Sequence, residues 1–110
     1  MSNRETVTEV LVEGRLRVAV PLERADELAA GVQAVLESPA RIRYADVREL
    51  GAVDAGDDAL VVTVDCRLTC HLEEPPADAA SLADSLRTLE RVVAVDSLAI
   101  DDGPYRVERW

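Results

Sequence analysis

Residues 60–72 alternate between apolar and polar side chains almost without interruption. Leucine, valine and cysteine occupy the even positions, and most odd positions carry polar groups such as Asp65, Arg67 and His71. Successive side chains on a strand point to opposite faces, so this pattern predicts a strand with one buried and one exposed face. Such strands are typical of antiparallel sheets that are covered on one side.

Three other segments also have the pattern of a strand. Residues 6–20 alternate in the same way, with a bulge or bend expected at Gly14. Residues 41–50 form the second predicted strand, with Ile42 and Tyr44 inward and a bulge near Val47, and residues 51–58 form a hairpin loop. Residues 92–100 are rich in β-branched side chains, and Asp-Asp-Gly-Pro at 101–104 predicts a turn after them. The pattern leaves open whether residues 105–110 add a short fifth strand.

Two segments have apolar residues at helical spacing. The first helix is predicted over residues 22–37, because Pro21 favours a helix start and Ser38-Pro39 ends it. The second is predicted over residues 77–91, with Asp78 in its first turn. The whole chain, residues 1–110, is therefore expected to form one domain of order β-α-β-β-α-β.

This element order resembles the ferredoxin-like superfold, an α+β sandwich with both helices on one face of a mainly antiparallel sheet. The resemblance rests on the two crossover helices, since right-handed crossovers place them on the same side of the sheet. A superfold hosts many unrelated activities, so the resemblance implies an architecture and no function.

The charge of the chain excludes some classes of partner. Twenty-two acidic residues against 12 basic ones give a net charge of −10, which repels nucleic-acid phosphates and anionic lipid headgroups. We therefore expect no nucleic-acid partner and no membrane partner. The acidic excess also suggests a protein from a halophile, and at molar salt the Debye length of ~3 Å would weaken this exclusion. A nucleic-acid role at high salt is the weakest alternative, because the central strands offer no aromatic residues for base stacking.

No stretch of sequence approaches the ~18 apolar residues that a membrane span needs, and the first residues carry no apolar signal segment. A cytoplasmic location is the expectation.

Candidate catalytic and metal-binding residues are few. Cys66 and Cys70 are predicted to face the core and His71 the opposite side, so the three residues cannot converge on one metal ion. Four residues apart on a strand, the cysteines lie roughly 13 Å apart and cannot form a disulfide with each other. His71 is the one histidine available for acid–base chemistry, but no nucleophile or phosphate-binding loop accompanies it. The loops with Asp54, Asp57 and Asp58 and with Asp101 and Asp102 are interpreted as solvated turns, so we expect no metal and no cofactor.

The outward face of the predicted sheet is the candidate site. It is expected to carry five arginines against Glu9, Glu13, Glu49 and Asp65, a net charge of +1, with Leu11, Ala45, Val47 and Val61 among them. These side chains either pair across strands, at ~0.2 to 1 kcal/mol per pair, or bind a partner or an anion. The candidate interaction residues are Arg15, Arg17, Arg41, Arg43, Arg67, His71 and Trp110.

Two hypotheses for the function of the chain remain. The leading hypothesis is a small non-catalytic domain that works by association, as a homo-oligomer or with a protein partner, through this face and residues 105–110. The alternative is a dimeric α+β enzyme or regulator that binds a small anionic metabolite at the arginine-rich face.

Overall fold

The computed structural model describes residues 5–109 of the chain. The elements in chain order are β1 (Glu5–Pro21), a 3-10 turn (Leu22–Arg24), α1 (Leu28–Glu37), β2 (Ile42–Ala55), β3 (Ala59–Leu72), α2 (Ala79–Arg87) and β4 (Val92–Arg109). The strands form one sheet in the order β2-β3-β1-β4, and each neighbouring pair is antiparallel. The predicted α+β class, with a four-stranded antiparallel sheet and two helices, is confirmed.

One apolar core joins the sheet to both helices. The inward residues of β1 and β3 alternate as the sequence predicted, and Val10, Leu16 and Leu68 are almost completely inaccessible to solvent. Val32 and Leu36 of α1 and Leu82 and Leu86 of α2 belong to the same core cluster. Both helices therefore lie on one face of the sheet. Within residues 5–109, no element packs over the other face.

Both helices are shorter than predicted. The first predicted helix is interrupted because Glu27 has φ −114° and ψ 89°, outside the helical region, so that α1 begins only at Leu28. The preceding 3-10 turn is held by a tertiary contact, in which the Leu22 amide donates to the Asp58 carbonyl. α2 begins at Ala79, where Asp78 and Ser81 form a capping box. Asp78 is thus the residue before the helix and not part of its first turn.

β2 is longer than predicted and contains three bulges. It continues through Ala55, so the loop to β3 shrinks to residues 56–58. The extra residues are Arg43, Arg48 and one between Leu50 and Val53. The bulge at Arg43 shifts the alternation by one residue, so that Tyr44 is 59% exposed and Ala45 is buried. The predictions that Tyr44 faces inward and that Ala45 and Val47 face outward are wrong for this reason.

β4 replaces the predicted turn and fifth strand. It runs through residues 101–104, and residues 105–109 pair with residues 5–9 of β1. Register shifts accommodate extra residues at Val93, Asp96, Asp101 and the Gly103-Pro104 pair. Gly103 has φ 92°, a left-handed conformation that glycine adopts without strain. The turn-forming residues therefore produce a bulge instead of a turn. Trp110 lies outside the described residues.

Candidate functional site: the open sheet face

We call the sheet face opposite the helices the open face. Its residues from the two central strands sit in regular cross-strand pairs, from Glu9 opposite His71 to Ala19 opposite Val61. Polar and charged side chains dominate it, with Leu11 and Val61 as the larger apolar members. The two strands contribute Glu9, Leu11, Glu13, Arg15, Arg17, Ala19, Val61, Thr63, Asp65, Arg67, Thr69 and His71.

Arg15 and Asp65 form the best-defined ion pair on the open face. The Arg15 Nε and Nη2 atoms donate to the two carboxylate oxygens of Asp65, at 2.8 and 3.1 Å. This two-pronged geometry follows from their positions directly opposite each other on β1 and β3. The hydrogen bond from Arg15 lowers the pKa of Asp65, and the same bond raises the pKa of Arg15.

Two bulges of β4 supply carboxylates that sequence analysis did not assign to this face. Asp96, an extra residue, accepts a hydrogen bond from Arg17 Nε at 3.2 Å. Asp101, another extra residue, accepts from Arg67, which also lies 3.8 Å from Glu13. Bulges redirect side chains out of the regular alternation, so these contacts could not be predicted from the strand pattern.

These contacts change the expected charge of the open face. Arg15, Arg17 and Arg67 each have a carboxylate partner, and Glu9, Glu13, Asp65, Asp96 and Asp101 all reach the same face. These are five carboxylates against three arginines, and Asp46 and Glu49 of β2 lie opposite Arg67 and Asp65 and add two more carboxylates. The open face is therefore acidic, and the predicted net charge of +1 is wrong. Cross-strand pairing of arginine with carboxylate is therefore the arrangement that the structure contains, and an anion would have to displace these partners to bind here.

Arg41 does not lie among the other predicted arginines, and Arg43 lies in a bulge of the edge strand β2. Arg41 Nη1 donates to the Ser85 carbonyl at 2.7 Å and to Thr88 Oγ1 at 2.8 Å, both at the C-terminal end of α2. It is therefore on the helix side of the sheet, where a cation is favoured by the helix dipole. Arg43 occupies the first bulge of β2, and its guanidinium lies 5.2 Å from the centre of the Tyr44 ring.

His71 and the β4 tail occupy one end of the open face. His71 Nε2 and Glu9 Oε1 are 2.9 Å apart and form a hydrogen bond, and the imidazole side chain is only 7% exposed. Tyr105 lies on the other side of Glu9, and its hydroxyl donates to Asp102. Of the predicted site residues, Arg15, Arg17, Arg67 and His71 thus belong to the central strands of this face. Arg43 lies beside Tyr44 on the edge strand β2, and Arg41 lies on the helix side.

The two cysteines face the core, as predicted, and are free thiols. Burial raises the pKa of Cys66 to about 12, and burial likewise raises the pKa of Cys70 to about 12. The charge of Arg41 acts in the opposite direction on Cys70, in agreement with its position on the helix side. Within residues 5–109, no three His, Cys, Asp or Glu side chains are placed to hold a metal ion.

We predict that neither cysteine reacts with iodoacetamide at pH 8 while the protein is folded. The thiolate is the reactive form, and a pKa of about 12 leaves almost none of it at that pH. Intact-mass spectrometry should show no adduct in buffer and two adducts per chain in denaturing urea. Rapid alkylation of the folded protein would contradict the buried positions of both thiols.

Neither helix in the described part of the chain is long and apolar enough to cross a membrane. Comparisons of the chain with protein-family models, with curated proteins and with solved structures find no match.

Proposed function

We propose that this chain is a non-catalytic association domain that pairs with a second copy of itself through the open face. The observation that supports this most directly is that both helices cover one side of the sheet, whereas no described element covers the other. We also propose that the fold is ferredoxin-like. The β-α-β-β-α-β element order, together with the strand order β2-β3-β1-β4, supports that assignment.

The open face is large enough for a stable dimer. β1 and β3 pair from Thr8 to Pro21, a length of about 46 Å at ~3.3 Å per residue, and four strands spaced ~4.8 Å apart give a width of roughly 19 Å. The sheet face therefore covers roughly 900 Å², compared with the ~800 Å² per partner that a specific interface buries. A second copy would cover most of this face.

The sheet edges are less suitable for association than the open face. A partner strand needs a regular row of unpaired backbone groups, but β2 has three register shifts and β4 has four. Bulges of this kind are one of the ways in which proteins protect edge strands from pairing with other chains. This directs association to the open face.

The charges of the open face favour a second copy as the partner. Arginines and carboxylates alternate on it, so each copy presents both signs to the other. The Arg15 and Arg17 side chains are still 56% and 52% exposed, and Arg17 uses a single hydrogen bond to Asp96. Both arginines therefore retain donors for carboxylates of the partner.

We expect light scattering on a sizing column to give twice the 11.9 kDa chain mass at roughly molar salt. The Debye length there is ~3 Å, which screens the repulsion between two chains of net charge −10. Thr63→Glu should then convert the dimer to a monomer, because it adds a charged and larger side chain to the open face. The fold should tolerate the change, since Thr63 lies opposite Arg17.

Ala80→Glu is the matched control, because it adds the same charge at an exposed position of α2. This variant should remain dimeric. A monomeric wild-type protein at both low and molar salt would overturn the proposal. A dimer that both variants retain would overturn the assignment of the interface to the open face.

A further inference from the structure

A groove on the helix side of the sheet lies at one end of the molecule, between α2 and the end of β3. Its volume is about 590 Å³, within the range of roughly 300 to 1,000 Å³ that is usual for small-molecule sites. One side of the groove is formed by Ser81, Leu82 and Ser85 of α2 and by Leu89, which follows the helix. Arg41, immediately before β2, also lines the groove and is hydrogen-bonded to Ser85.

Arg41 differs from the arginines of the open face because, within residues 5–109, no carboxylate pairs with it. Its Nη1 atom donates to the Ser85 carbonyl, the Ser85 hydroxyl and the Thr88 hydroxyl, all of them neutral acceptors. The Nε and Nη2 atoms have no partner in the described part of the chain, and neither is enclosed. Hydrogen bonds through Nη1 therefore hold the half-buried guanidinium in place, while Nε and Nη2 remain available as donors to a ligand.

The lining residues define the chemistry of a ligand. A guanidinium with two free donors matches a carboxylate. Leu72, Leu82 and Leu89 offer apolar surface, whereas Glu73 and Glu74 repel multiply charged anions and attract an ammonium group.

We propose that this groove binds a small α-amino acid with an apolar side chain. Its carboxylate contacts Arg41, its ammonium group lies towards Glu73 and Glu74, and its side chain packs against Leu82 and Leu89. The proposal concerns the helix side of the sheet and does not depend on dimerisation through the open face.

The test is a titration of the ¹⁵N-labelled protein with L-leucine, followed by NMR. We expect saturable chemical-shift changes at the Arg41 Nε–H group and at the amides of Ser85 and Leu89. The Nε–H groups of Arg15 and Arg17 on the open face should not move. Inorganic phosphate should cause no comparable change at Arg41.

Two variants with one control locate the site. Arg41→Gln removes the free donors, and Ala40→Trp fills the groove from an exposed position without removing a contact of Arg41. We expect each to weaken leucine binding at least tenfold. Arg43→Gln is the control, two residues away, and should bind as the wild type does. Absence of shifts with leucine, a response to phosphate alone, or unchanged binding by Ala40→Trp would overturn the proposal.

Discussion

Alanine in place of Leu16 is expected to lower the free energy of unfolding by about 2 to 5 kcal/mol. Leu16 is completely buried at the middle of β1, where it lies opposite Val64 of β3 and Val95 of β4. Removing its side chain leaves a cavity that the two flanking strands cannot fill without moving. The free energy of unfolding of a domain of this size is only about 5 to 15 kcal/mol, so the substitution removes a large part of it.

Urea denaturation followed by circular dichroism measures this loss. Leu22→Ala is the control, because it removes the same atoms from a side chain that is 51% exposed. We expect the control to stay within about 0.5 kcal/mol of the wild type. Equal losses for the two variants would contradict the position of Leu16 in the core.

The second large effect is expected at Gly14, where Gly14→Ala should destabilise the protein by about 1 to 3 kcal/mol. A Cβ atom added there would lie 2.6 Å from the Ser97 carbonyl oxygen and 2.8 Å from Leu98 Cδ1. Both distances are too short, and the oxygen belongs to the backbone of β4 next to the bulge at Asp96. The strand itself would have to shift to admit the methyl group.

Gly51→Ala provides the comparison, because both substitutions add one methyl group to a glycine of the same sheet. The nearest atom to a Cβ at Gly51 is the Thr63 carbonyl oxygen at 3.4 Å, an ordinary contact. We expect this variant to be as stable as the wild type or slightly more stable, since alanine restricts the unfolded chain. Thermal unfolding of the two variants side by side distinguishes the steric effect from a general effect of losing glycine.

The central strands could be predicted from the sequence because their pairing is regular. The alternation of β1 and β3 continues over the part in which they pair, and their mutual register shows no shift from Thr8 to Pro21. Residue polarity alone therefore predicts which side chains are buried. The helical spacing of apolar residues over 77–91 is a local pattern, which is why the region of α2 was also predicted, although Asp78 caps the helix instead of lying in its first turn.

The edge strands could not be predicted as well, because a bulge depends on the neighbouring strand as much as on the residue that forms it. The extra residue at Arg43 reverses the faces of Tyr44 and Ala45. The candidate site was affected in the same way. Arg41 was expected on the open face but reaches α2, and Asp96 and Asp101 were not recognised as partners of Arg17 and Arg67.

The position of β1 in the centre of the sheet has a consequence for how the chain folds. β1 pairs with β3 and β4, and residues such as Arg15 and Asp65 are 50 positions apart in sequence. Only β2 and β3 meet through a short loop, so most of the sheet requires the closure of long loops before any pairing energy is gained. Topologies of this kind fold more slowly than helical domains of equal length. During that time the apolar side of β1 is exposed, which makes the newly synthesised chain most prone to aggregation before its C-terminal strand is complete.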